Sequence, residues 1–149
     1  MANGDILPQL PPQDVKEAVK FLYFYVLRRL GLFSVKYQLS CSDLTSDLEA
    51  DEEAAYFHTQ GPFQLTEARC SLLAASVSGA VVVDLRVGND SILSTPIIVP
   101  EGEVSSLASS LQPQFTITEL PNDARVIVSI AQPGSQARGL ITSVQGVYR

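Results

Sequence analysis

This chain has little of what enzymatic chemistry is usually built from. Its 149 residues include no tryptophan, one histidine, one methionine and two cysteines. A single histidine, His58, and two cysteines twenty-nine positions apart, Cys41 and Cys70, do not supply the clustered Cys/His spacing that zinc requires. Glycine-rich phosphate-binding motifs are absent, and the glycines that occur stand at turns. No nucleophile-elbow pattern occurs. His58 lies in Tyr56-Phe57-His58-Thr59, a strand-like context without an activated nucleophile beside it. Paired carboxylates for glycoside hydrolysis are defined by their separation in space, and nothing in the sequence selects a pair. The expectation is therefore no catalytic residue, no cofactor, no metal and no enzymatic role.

Charge is scarce too. Charged residues are 17% of the chain, against about 25% in typical soluble domains. Ten basic and sixteen acidic residues give a net charge of −6. That balance excludes a broad basic surface for nucleic acid, since phosphate neutralisation needs clustered Lys and Arg. The only basic pair, Arg28-Arg29, suits a helix C-terminus. The longest wholly apolar run, residues 21–27, is far too short to span a bilayer. Residues 1–12 carry neither a basic start nor an apolar signal core. Two cysteines permit one bridge, but both stand in apolar, strand-like contexts and nothing marks the chain as secreted, so buried free thiols are expected. So little charge with so much Val, Ile, Leu and Ser points to surface hidden against partners.

What is present is β-type sequence. Val81, Val83, Leu85 and Val87 alternate with Val82, Asp84, Arg86 and Gly88, and Gly88-Asn89-Asp90 ends the run. Further runs cover residues 91–99, 114–120, 125–132 and 139–148. Residues 32–41 alternate in the same way, and 54–59 and 63–66 flank a Gly61-Pro62 turn. Residues 69–77 lead into the C-terminal half, and 103–111 fit either a helical turn or a Ser-rich connection. Period-two alternation with a turn signal about every ten residues predicts a mainly β protein, an antiparallel sandwich of jelly-roll type spanning residues 32–149.

Two elements precede it. Residues 1–12 read as an extended arm, because Pro8, Pro11 and Pro12 exclude helix and central strand; Ile6, Leu7 and Leu10 give it apolar groups to dock. A helix is expected within residues 13–31. Asp14 and Glu17 make a capping box, and Gly31 stands where a left-handed C-terminal residue is wanted. This helix is apolar on more than one side. Val15, Val19, Leu22 and Val26 form one stripe, and Phe21, Tyr23, Phe24 and Tyr25 fill most of the rest. A helix lying on a monomeric sandwich needs only one stripe. Packing between subunits accounts for the surplus; the alternative is a helix clamped between sheet and loops of its own chain.

The acidic run Asp43, Asp47, Glu49, Asp51, Glu52 and Glu53 has some alternate spacing of a calcium loop. However, Glu52 stands where the sharp turn requires glycine, and no closing Glu follows. A solvated loop over residues 42–53 is the expectation, with contact to a basic partner surface as the other reading.

The stretch VVVDLRVGNDSILST (residues 81–95) resembles a module recurrent in virion proteins of tailed bacteriophages and prophages. That module has a strand like VTVDIKKNG, then TSILST, then an I-D-x-G-E-x-T-S turn, matched here by IVPEGEVSS (98–106). It continues into ITVDIDQVG and A-x-GLKVTLxGxR, matched by NDARVIVSIAQPG (122–134) and ARGLITSVQGVYR (137–149). The resemblance covers about residues 70–149. The second aspartate of its VDID is absent, since Ile130-Ala131 stands there. It implies a β-sandwich in a virion part. Short length, a Pro-rich arm and an over-apolar helix narrow the expectation to a capsid cement (decoration) protein on the head surface. Such a protein bridges major capsid protein subunits and its own copies, as a homotrimer, without nucleic acid or membrane. The expected partner-facing residues are Ile6, Leu7, Leu10, Val19, Leu22, Phe24 and Tyr25. The alternative is a tail, neck or fibre module that binds a host glycan or another virion protein through loop aromatics such as Tyr56 or Phe63.

Overall fold

The computed structural model describes residues 15–29 and 34–149. The arm with Ile6, Leu7 and Leu10, the Asp14 cap and Gly31 lie outside the described residues. The helix α1 runs Val15–Arg29. It is followed by strands β1 (Ser34–Ser40), β2 (Asp51–His58), β3 (Phe63–Ser71), β4 (Val81–Val87), β5 (Asp90–Ser91) and β6 (Leu93–Thr95). Then come β7 (Ile97–Val99), a 3-10 turn at Ser106–Ala108, β8 (Gln114–Phe115), β9 (Glu119–Leu120), β10 (Arg125–Gln132) and β11 (Ile141–Tyr148).

Two antiparallel sheets carry the fold, ordered β1-β11-β3-β9 and β2-β10-β4-β5, with β7 also paired to β4 and β6-β8 as a small separate ladder. The pairing is nested. The first strand pairs with the last, β2 with β10, β3 with β9 and β4 with β5 and β7. A chain folded back on itself and then rolled across two sheets gives this order, which is that of a jelly roll. The fold is thus the mainly β, antiparallel sandwich with one N-terminal helix that the alternation predicts.

The core lies between the sheets. Val81, Val83 and Leu85 of β4 are fully buried, as are Val126 and Val128 of β10 and Val144 of β11. In β3 the inward positions change phase, from Phe63 and Leu65 to Ala68 and Cys70. The β3–β11 register shifts at Gln145/Gly146, which inserts one extra β3 residue and flips the parity. Two elements are longer than their sequence runs suggest. The run 54–59 is part of β2, which starts at Asp51 and draws Asp51, Glu52 and Glu53 out of the expected acidic loop. The run 63–66 continues through Glu67 and Arg69 to Ser71 as one strand, its charges paired on the exposed face. Two others are shorter. The run 91–99 is cut at Pro96, which has no N–H to donate, and 114–120 splits into β8 and β9. The ambiguous 103–111 stretch holds a short 3-10 turn, capped by Ser105.

The roll sorts its connections into two ends. Loops 41–50, 72–80, 100–113 and 133–140 gather at one end; 59–62, 88–89 and 121–124 stand at the other, beside the C-terminus and α1.

Candidate functional site

The candidate site is the helix and the groove beneath it. All eight large apolar side chains from Val15 to Val26 are between 37% and 62% exposed. They include the partner-facing candidates Val19, Leu22, Phe24 and Tyr25. Among the described residues the helix is not enclosed by sheet and loops: its large apolar side chains stay at least 37% exposed. The reason lies in the fold: the sandwich closes its own core without α1. Within the helix, Phe21 stacks on Tyr25 one turn later, with ring centroids 6.3 Å apart, and Tyr23 meets Phe24 edge-on at 5.9 Å. These contacts order the aromatic face without burying it.

Between α1 and the end of the sandwich lies an open groove of about 910 Å³. Phe21, Phe24 and Tyr25 form one wall; Val35, Pro62 and Tyr148 form the other. The sandwich side is stiff. Tyr37 stacks on Phe57 at 4.1 Å, and Phe63 packs edge-on to Tyr37 and tilted against Tyr148. The Tyr37 and Tyr148 hydroxyls are hydrogen-bonded to each other, and the Gln60 N–H donates to Tyr148 Oη at 2.8 Å. Burial and the bond to Tyr148 push the Tyr37 hydroxyl up to about 12. Gly146 makes room for this cluster: a Cβ there would lie 2.3 Å from the Gln64 carbonyl oxygen and 2.4 Å from Phe63 Cζ. Arg149 anchors the chain end, its N–H donating to the Pro62 carbonyl and its guanidinium pairing with Glu119 at 3.2 Å.

Phe63 is buried, which corrects the reading of it as a loop aromatic for sugar stacking. It is the first residue of β3 and faces inward. Tyr56 is exposed on the outer face of β2, but the Arg125 guanidinium lies 4.4 Å above its ring and also pairs with Glu53. His58 Nδ1 lies 3.1 Å from Asp123 Oδ1, both side chains open to solvent. Cys41 and Cys70 stand toward the opposite end of the sandwich from this pair.

The two thiols are free and buried. Cys41 Sγ donates to Thr142 Oγ1 at 3.4 Å, and Cys70 Sγ lies 3.2 Å from the same oxygen. They flank β11, so about two strand spacings, roughly 9–10 Å, separate their backbones. A disulfide tolerates less than about 7 Å between Cα atoms. Burial pushes the Cys70 thiol up to about 12 and raises Cys41 too, which leaves both in the unreactive protonated form.

Several of the acidic residues are engaged singly. Asp43 accepts the N–H groups of Thr45 and Ser46, which hold its carboxyl below the usual range. Asp47 pairs with Arg138 at 2.8 Å, and Asp51 accepts the Glu53 N–H. Among the described residues, no three His, Cys, Asp or Glu side chains converge as metal ligands, and no helix is long and apolar enough to cross a membrane.

The 81–95 stretch has a local structural role. Asp84 accepts from both the Leu85 N–H and the Ser91 hydroxyl, at 2.9 and 2.6 Å, and Gly88 turns the β4–β5 hairpin at φ +64°. Asp84 and Ser91 thus tie the β4–β5 hairpin together, while Arg86 reaches across to the Glu52 carbonyl of β2.

No protein-family model matches this chain, and no curated protein matches it.

Proposed function

We propose that this protein is a structural virion component, a cement (decoration) protein on the head of a tailed phage, and that it acts by association rather than catalysis. One observation carries the reading: a 15-residue helix that leaves eight large apolar side chains open to solvent beside an apolar groove. A helix apolar on more than one side has more surface to cover than one neighbour covers, and an exposed apolar patch of this kind marks an interaction surface. The cover is supplied by copies of the same chain. In a closed trimer each helix meets two others, so its stripe and its aromatic face are both covered. Fully burying an exposed side chain of this kind contributes about 1.5–3 kcal/mol, and these, 37–62% exposed, have about half of that to gain. Several per helix offset an association cost of about 4–15 kcal/mol.

The jelly-roll order supports the assignment by analogy of fold, since capsid domains use it, though lectins do so too. The resemblance over residues 70–149 gives the particle context. In this reading the sandwich is a frame, and its partners are the major capsid protein and its own copies, with no nucleic acid and no membrane. Many modest contacts sharing one shell add avidity without any single strong interface. A net charge of −6 disfavours any role on packaged nucleic acid.

A second reading, a tail, neck or fibre module that binds glycan, draws on exposed Tyr56. The Arg125 cover leaves only one ring face for a sugar. Quantitative mass spectrometry and imaging of purified particles separate the two. The cement role requires the chain on the outer head surface at copy numbers that are multiples of three. Absence from heads, with selective binding on a glycan array, replaces it with the second reading.

A further inference from the structure

The end of the sandwich opposite the helix carries its own exposed apolar residues. Leu44, Leu73, Val77, Val104, Leu107 and Leu111 come from three of the four loops gathered there and are between 48% and 65% exposed. They belong to connected backbone. The Leu72 N–H donates to Val104 O, Ser71 bridges to Ser105 beside the 3-10 turn, and the Gly102 N–H donates to Ser76 O. The fourth loop joins them: a Cβ at Gly139 would lie 2.5 Å from Leu73 Cβ and 3.5 Å from Leu44 Cδ2. Glycine at φ +67° lets Leu44 and Leu73 close over it.

Among the described residues the charge around this end is mostly negative. Asp43, Asp47, Glu49, Glu101 and Glu103 are exposed, and Arg138, already paired with Asp47, is the cation placed among them. A second copy meeting this end face to face would set carboxylates against carboxylates. The chemistry that fits is a different protein surface, apolar at its centre and rimmed by Lys or Arg, because complementary rims favour the partner and like rims reject the copy.

We propose that this loop end is a second docking surface, and that its occupant is a basic-rimmed face of the shell subunit. It rests on the cement reading: the helix end joins copies and the loop end holds the shell. The test measures binding of the full-length chain to expanded heads purified from a strain that lacks it. Wild type should bind saturably and more weakly as salt rises. The triple variant Leu44→Ser, Leu73→Ser, Leu107→Ser should lose at least ten-fold in affinity while sedimenting like wild type. Glu103→Lys, a single change at an exposed position, should weaken binding several-fold and flatten its salt dependence. Wild-type binding with both variants unchanged overturns the loop-end surface and leaves the cement reading intact. No binding by wild type overturns both.

Discussion

At the helix end half of the exposed apolar groups are aromatic and all sit on one regular element; at the loop end they are aliphatic and arrive from three separate connections. The helix end lacks a single-sign rim, with Lys16, Glu17 and Lys20 mixed along α1 and Arg149 at the groove. The loop end is fringed by carboxylates. Around a three-fold axis like groups of the copies come close together, and the mixed charges of the helix end allow that. The loop end does not, and on the proposed reading that repulsion directs it to a different partner. A bridging protein needs both kinds of end, and the jelly roll separates them by putting alternate connections at opposite poles.

Two glycines, one at each end, probe how rigidly each surface is held. Gly146→Ala should have the larger effect. Its Cβ meets a backbone carbonyl and the Phe63 ring, neither of which can move aside freely. A loss of about 3 kcal/mol or more, at the upper end for overpacking, should appear as a large drop in Tm with collapse of the Tyr37–Phe63–Tyr148 cluster. Gly139→Ala should cost about 1–2 kcal/mol for the left-handed position and about 1 kcal/mol more for pushing Leu73 aside on an exposed loop, and it should weaken head binding. Equal effects of the two substitutions would remove the distinction between a stiff aromatic end and a looser loop end.

A smaller effect is expected from pH. Tyr37 at the helix end and Cys41 and Cys70 toward the loop end all have folded pKa values raised by burial. Each favours the folded state while neutral. That contribution is complete below the unfolded pKa, about 8.5 for a thiol and about 10 for a phenol, and is lost as pH rises toward about 12. Thermal unfolding followed from pH 7 to 12 should therefore show stability falling from about pH 9. Cys70→Val should flatten the first part of the fall and Tyr37→Phe the later part. A profile unchanged in both variants would contradict this origin.

The sequence discloses the sandwich well where one face is buried and the other wet. Val81–Val87 and Arg125–Gln132 match their predicted runs end for end; in β4 burial on one face imposes the period, whereas β10 buries Val128, Ser129 and Ile130 in succession at a bulge. It discloses less where charge sits on an edge strand. Asp51, Glu52 and Glu53 read as loop by composition, yet the ladder of β2 with β10 holds Asp51 opposite Ile130. The bulge that turns Phe63 inward depends on the β3–β11 register, which no local pattern in β3 encodes. The surplus apolar surface of the helix is legible in its composition. The loop-end patch is not, because Leu44, Leu73 and Leu107 are scattered through the chain and only the roll brings their loops together.

Sedimentation equilibrium of the full-length chain bears most directly on the helix as a surface between copies. A species near three times the 16.1 kDa chain mass that falls to one chain mass when Phe24 and Tyr25 are replaced by Asp, with Tm unchanged, is the predicted result. A wild-type chain that stays monodisperse at a single chain mass up to high concentration would contradict it.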